Sequence, residues 1–368
     1  LVKQINMPQL RSFLKDLISA SGLSGYETPI RELIIEAWQP LTDQIHTSQL
    51  GSLHALKQGR ISLDAEGKEQ PQAPSLLVAA HMDAIGLMVS RINHGLLSIT
   101  EIGGLDARVL PGQPVIVHGR KDIPAVIVQP PAHLLPEPLG SGPVPLEYLL
   151  VDPGVPPRQV EELVRAGDLV SFAQPVLEMG ENILAGHSLD NRASVAALTH
   201  CLQILADRKL EWDVWAVATA QEEETLGGAL TSAYQLRPSI AVAVDVTFGS
   251  SPGTPDHESF ALAEGPTLGW GPNIHPKLHK TFKELADRLE IPNSLEALPR
   301  HSGTDAIALQ IAAEGVPTMV ISIPLRYMHT PVEMVSMKDI KRTGRLLAEF
   351  AAQLDESFME KLSWEDDD

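Results

Sequence analysis

Four short apolar runs constrain this chain more than any other feature. Residues 76–80, 214–220, 240–244 and 318–323 are each five to seven residues long and rich in Val, Ile or Ala. Runs of that length and composition mark strands covered on both faces. Around them, apolar residues recur with helical spacing over 8–19, 28–38, 191–205, 226–234, 276–289, 305–313 and 338–354. Strands alternating with helices of this length predict an α/β fold, an open and mostly parallel sheet flanked by helices.

One segment breaks the alternation. Residues 92–179 hold 13 of the 29 prolines in 88 residues. Proline disfavours helix interiors and central strands, so this stretch reads as a small β-rich module of short strands, such as 95–100 and 114–118. The proline-rich part at 130–145 reads as a surface loop. The organisation that follows is one discontinuous domain, 1–91 with 180–368, carrying an insertion over 92–179. The last stretch, 355–368, carries seven acids and reads as a solvated tail.

Composition then narrows the function. The chain has 368 residues, with 47 Asp and Glu against 28 Lys and Arg, a formal charge of −19. That excess argues against nucleic acid and anionic membrane surfaces as partners. No apolar run approaches the roughly 18 unbroken residues of a membrane span. The richest, 75–89, is interrupted by His81 and Asp83. No signal-peptide pattern is present, and the single Cys201 permits no internal disulfide, which together suit a reducing cytoplasm. One cysteine also rules out a thiolate-rich zinc site, so a metal here must be held by His and carboxylates. Sixteen aromatic residues offer few stacking platforms for sugars or bases.

In open α/β sheets, ligands bind beyond the carboxyl ends of the strands, and the polar residues of this chain gather there. The first run leads into His81-Met82-Asp83, where strand alternation puts His81 and Asp83 on one side. A carboxylate orienting a metal-binding imidazole fits that spacing, as does a plain strand-end His with a solvated Asp. The second run leads into Gln221-Glu222-Glu223-Glu224, three acids that either meet cations or decorate a helix N-terminus. The third ends at Asp245, the one acid of an apolar stretch, which needs a cation or several donors. The fourth leads through a short segment to His329, by itself a loop histidine. In Gly186-His187-Ser188-Leu189-Asp190-Asn191-Arg192, Asp190 reads as an N-cap for the helix that follows, and His187 as a surface residue or one behind the site, not a ligand. Jointly, two His and several carboxylates at one sheet edge, without Cys, suit zinc, cobalt or manganese. Two adjacent cations also explain so many carboxylates in one place.

The segments AHMDAIGLMV, GHSLDNR, ATAQEEETLGGA, AVAVDVT, SGTDA and RYMHTPVEMV occur here in that order. Together they resemble peptidase family forty-two, the glutamyl-aminopeptidase and tetrahedral (TET) aminopeptidase family. The resemblance spans nearly the whole chain, including IGGLDAR and AGDLVSF in the insertion. It implies a zinc-aminopeptidase-like α/β fold whose insertion is a PDZ-like dimerisation domain, in a homo-oligomer that is a dimer or a hollow dodecamer. It further implies a cytoplasmic, metal-dependent aminopeptidase acting on peptides with a free N-terminus, with two divalent ions per subunit, Zn²⁺ or Co²⁺ before Mn²⁺. In that case His81 and Asp245 hold one ion, Glu223 and His329 the other, and Asp190 bridges both, replacing its N-cap reading. Glu222 is the general base and acid, and Asp83 orients His81. His301, Thr304 and Asp305 match a segment near the active site. Two positions depart from the family pattern: Asn191 follows Asp190 where a second acid is common, and Ala193 follows Arg192 where Gly is common. Two other classes compete with this reading, a glycoside hydrolase and a non-catalytic metal-stabilised assembly protein. Adjacent Glu222 and Glu223 do not obviously flank a sugar, and a complete ligand set beside a free Glu222 argues against a decayed site.

Overall fold

The computed structural model describes residues 9–60, 74–136 and 142–363. Its centre is one eleven-stranded sheet. In spatial order the main path runs Gln44–Thr47, Leu53–Lys57, Asp213–Thr219, Ser75–His81, Ile240–Phe248, Thr318–Arg326, Glu333–Ser336, Ile183–Gly186 and Leu177–Met179. Thr267–Trp270 and Ser294–Ala297 branch off beside Thr318–Arg326. The four apolar runs form the four central strands, mutually parallel and almost wholly buried.

The sheet is mixed, where the sequence predicts one that is mostly parallel. The strands on both flanks pair antiparallel. Parallel neighbours need long crossovers, whereas short turns can only return the chain alongside itself. Gln44–Thr47 and Leu53–Lys57 are joined by a turn closed by Ser48 N–H to the Ser52 carbonyl. Leu177–Met179 and Ile183–Gly186 are likewise a hairpin. Several of these strands are short and exposed on their outer faces, so they lack the continuous apolar signature of the central four.

Helices flank the sheet. Leu189–Leu205 packs against Leu10–Ser19, Met337–Ala352 and the central strands, while Gly227–Leu236 packs against Asp305–Gln310. Local sequence sets several helix starts. Ser336 accepts the Lys338 N–H and Thr304 accepts the Ala306 N–H, each an N-cap that satisfies an otherwise free amide. The buried Trp38 indole donates to the Thr199 hydroxyl, tying Thr28–Trp38 to the long helix.

The proline-rich stretch forms a closed six-stranded antiparallel barrel, from Gly86–Asn93 to Leu169–Phe172. Its strands alternate buried and exposed residues, and it has its own apolar core around Leu87, Ile99, Val117, Ile127, Val151 and Val170. The first barrel strand starts only five residues after His81, which hangs the barrel directly beside the end of a central strand. Part of the loop expected at 130–145 lies outside the described residues.

The acidic tail is docked as far as Ser363, not solvated throughout. Phe358 and Leu362 are buried, and the Trp212 indole donates to the Asp355 carbonyl. Two apolar residues spaced among the acids suffice to seat the segment. Residues 364–368 lie outside the described residues. No helix among the described residues is long and apolar enough to cross a membrane.

Candidate metal centre

Register brings the candidate residues level with one another. Thr219 pairs with His81 across one side, and Ala243 with Ala79 across the other. Two residues further along, Asp245 stands beside His81, their side chains 3.8 Å apart. The turn after Asp213–Thr219 delivers the short helix Glu222–Thr225, entered through Gln221 and left through Leu226, both at positive φ. A Cβ at Gly228 would overlap the Ala220 carbonyl, so only glycine lets the next helix close on the strand end. His329 (φ 60°) sits on the turn between the last central strand and Glu333–Ser336. Non-glycine residues at positive φ cost conformational energy and concentrate at functional sites.

Two groups of three ligand-type residues result, His81 with Asp190 and Asp245, and Asp190 with Glu223 and His329. Asp190 belongs to both. Its Oδ1 lies 3.2 Å from His81 Nε2, and its Oδ2 lies 3.4 Å from His329 Nε2. His329 Nε2 is also 3.5 Å from Glu223 Oε2. Asp190 therefore faces the site and does not cap the helix behind it. Glu222 Oε2 is 3.7 Å from His81 Nε2, yet Glu222 belongs to neither group.

Asp83 lies behind this layer. Its carboxylate accepts the backbone N–H of Glu222 at 3.0 Å and of Glu223 at 3.2 Å, and it stands 3.6 Å from His81 Nδ1. The same ring nitrogen is 3.2 Å from the Asp83 carbonyl oxygen. A proton on Nδ1 satisfies that side and leaves the Nε2 lone pair aimed at Asp190 and Asp245. Asp83 thus addresses the imidazole and both neighbouring glutamates together.

The electrostatics call for added positive charge. Burial pushes the Glu222 carboxyl up to about 9, His81 opposes it, and Asp245, Asp305 and Asp190 add repulsion. Burial likewise raises Glu223 and Asp245 well above the usual carboxylate range, each with Asp190 adding repulsion. Asp190 ends below that range: burial raises it, but the pull of His329 and His81 prevails. Burial alone would lower the His81 pKa, and the surrounding carboxylates lift it well above the ordinary value instead.

The donor set fits divalent cations. Tetrahedral N and O ligands at about 2.1 Å from a metal lie about 3.4 Å from one another, and the 3.2–3.8 Å spacings here match that better than direct hydrogen bonds would. Glu223 Oε1 is buried with no hydrogen-bond partner. A cation in each group would satisfy that oxygen and offset the repulsion.

Two contributions are not apparent from the sequence motifs alone. Glu333 is fully buried and accepts the backbone N–H of Asp190 at 3.0 Å and of His329 at 3.0 Å. One carboxylate therefore holds two ligand-bearing segments that are far apart in sequence. Its signal was its place four residues after His329 in HTPVEMV. Arg192 is buried without a salt bridge and donates to the carbonyls of Leu17, Ala20, Gly22 and Met82, fastening the first helix to the segment beside His81. His187, by contrast, packs edge-on against Phe172 and belongs to neither group, and burial pushes its pKa down to about 3. Asp305 is buried just behind the site, accepting from the Thr219 hydroxyl. His301 and Thr304 line the cavity of about 830 Å³ into which the two groups open.

Comparison with known proteins agrees with this architecture. The M42 glutamyl aminopeptidase family model matches residues 61–346. The chain is 34% identical over 339 residues to the lysyl aminopeptidase of Pyrococcus furiosus, covering 90% of this chain and 94% of that protein. Its fold is similar to the crystal structure of a TET aminopeptidase from a marine sediment Thaumarchaeota archaeon, with a TM-score of 0.89 and 28% identity over 96% of this chain and 99% of that one. It is also similar to the Pyrococcus horikoshii TET1 peptidase, described as assembling into a tetrahedron or a large octahedral shell, with a TM-score of 0.81 and 28% identity over 94% and 100% of the two chains.

Proposed function

Because the chain belongs to the M42 glutamyl aminopeptidase family, a hydrolase acting on peptide bonds, we propose that it releases the N-terminal residue of peptides at a two-cation centre bridged by Asp190. The observation that carries this reading is the division of Asp190, one oxygen facing His81 and the other facing His329. His81 and Asp245 would complete one ion's ligands, and Glu223 and His329 the other's. The N and O donors suit Zn²⁺ or Co²⁺, with Mn²⁺ as a further candidate.

When bound, such ions would supply Lewis acidity, making water more acidic and a carbonyl more electrophilic. Glu222 accepts the proton of the attacking water and then delivers it to the leaving amine. It is placed for this by Asp83, whose grip on the Glu222 and Glu223 amides keeps one carboxylate within the ligand group and its neighbour outside. Glu333 sets the backbone beneath Asp190 and His329 so that both side chains reach the same point. The acidic lining also offers partners for the substrate's free α-ammonium.

The inserted barrel, whose strands run from Gly86 to Phe172 and not over the whole of 92–179, is proposed as a PDZ-like dimerisation module in a homo-oligomer that is a dimer or a dodecamer acting in the cytoplasm. The assembly described for the P. horikoshii relative supports the homo-oligomer. Glu222→Gln tests the chemistry. It should keep its metal, measured by elemental analysis, and lose hydrolysis of aminoacyl anilides. Near wild-type turnover in this variant would exclude Glu222 as the proton carrier. Carboxymethyl-cellulose, assayed in parallel, should remain uncut with or without chelator.

A further inference from the structure

The cavity beyond the two ligand groups has a chemical character of its own. Glu296 stands on the strand Ser294–Ala297 and lines that cavity. Its two oxygens are fixed separately, Oε1 by the Thr247 hydroxyl at 2.6 Å and Oε2 by the Thr267 hydroxyl at 2.6 Å. Both threonines are buried and come from two other strands, so the carboxylate is held in place without a cationic partner among the described residues. An ionised carboxylate has about four acceptor positions, and two neutral donors leave the others for a ligand.

No Lys or Arg is among the described residues lining the cavity. Apart from the ligand groups and Glu222 beside them, its ionisable residues are Glu296, Glu258, His257 and His301, and His257 lies 3.4 Å from Glu258. Phe248, Phe260, Leu298 and Ile307 supply apolar wall. An aliphatic stem ending in a cation matches such walls around a fixed carboxylate. An acidic side chain would meet like charge and no permanent cation.

We propose that Glu296 is a specificity-determining residue that makes the enzyme select a cationic N-terminal residue, Lys or Arg. The proposal rests on the aminopeptidase reading above and adds the substrate class. It differs from the glutamyl description of the family model, which would require a cation in this cavity, and accords with the lysyl description of the P. furiosus relative.

The test uses the full-length, metal-loaded protein and the 4-nitroanilides of Lys, Arg, norleucine, Leu and Glu. Norleucine matches the lysine stem without its ammonium. Wild type should show kcat/KM for Lys and Arg at least about 10-fold above norleucine and Leu, with Glu lowest, because a charged partner in a partly desolvated site discriminates strongly. The Lys-to-norleucine ratio should shrink as salt is raised. Glu296→Gln should bring the ratio close to one, mainly through KM, leaving norleucine within about threefold of wild type. Glu296→Lys should raise the Glu substrate above Lys.

Wild-type preference for Glu, Leu or norleucine over Lys would overturn the proposal without recourse to any variant. So would an equal loss on all five substrates in Glu296→Gln, which is the result expected if Glu296 only ties its strand to Thr247 and Thr267. Failure to cleave any of the five by metal-loaded protein would instead count against the aminopeptidase reading itself.

Discussion

The two groups of ligand-type residues share Asp190 but differ in their surroundings. His81, 2% exposed, stands at the end of a central strand with Asp245 level beside it on the next. His329, 39% exposed, stands on a turn at positive φ, held from below by Glu333. The first half draws its geometry from parallel strand register, which the packed core makes stiff. The second draws its geometry from a turn and one buried carboxylate. Similar ligand chemistry is thus mounted on a rigid support and on a softer one, and the two should respond differently to the same perturbation.

The largest effect should come from the residue that belongs to neither half. Glu222→Gln should lower kcat by about 10²–10⁴-fold, the usual worth of general acid–base catalysis, with both ions retained by elemental analysis. Loss of metal in that variant would make Glu222 a ligand and redraw both groups. Removal of ligands should then separate the halves. His81→Ala should weaken metal binding by more than about 100-fold, beyond the cost typical of losing a supporting residue, and should also loosen Asp190 for the other ion. His329→Ala should weaken one ion only. Timed chelation of wild type should accordingly be biphasic by metal-sensitive dye, and a single phase would contradict the difference drawn here.

Glu333 tests the softer support more finely. Glu333→Ala should cost about 10–100-fold in affinity for the ion at the His329 side, while the fast and slow phases of chelation draw further apart. If the His81 side weakened equally, the two halves would have to be treated as one unit.

The smallest effect concerns acid, and it separates metal loss from unfolding. His54 is buried far along the sheet, hydrogen-bonded to Ser232 and to His46, and burial, aided by His46, pushes its pKa down to about 4. The folded chain keeps His54 neutral where the unfolded chain, near the ordinary 6.5, binds a proton. The resulting stability penalty is absent above the unfolded value, grows as pH falls from about 6.5 towards 4, and then levels off. By pH 5.5 it amounts to about 1 kcal/mol. Chemical denaturation of the chelated protein at pH 7.5 and 5.5 should show that decline, and His54→Gln should flatten it. An unchanged slope in the variant would assign the acid sensitivity to other groups.

Much of the fold is legible in the sequence because burial on both faces leaves a local mark. The four central strands are each an unbroken apolar run, and the helices around them keep their period. The flanking strands do not show, since Gln44–Thr47 and Leu177–Met179 are short and exposed and owe their place to a neighbour's edge. The helix Glu222–Thr225 is too short to display a period at all. The acids of the last stretch conceal the docking of Phe358 and Leu362, because charge counts weigh the exposed residues and miss the two that are buried. At the site, strand ends announce His81 and Asp245, whereas Asp190 looks from its own segment like a helix cap.

The sequence by itself settled the chemical vocabulary of this protein. With one cysteine, a metal has only imidazole and carboxylate to bind, and those groups follow strands whose ends must lie on one edge. The tertiary structure alone decided the grammar: that Asp190 is divided between His81 and His329, that Glu333 supports both segments, and that Thr247 and Thr267 hold Glu296 in the cavity. Periodicity and spacing report the environment within a few residues of each position. Apart from Glu333 with His329, these contacts join residues from 29 to 143 positions apart, and only strand register and chain connectivity bring such distant side chains within hydrogen-bonding range.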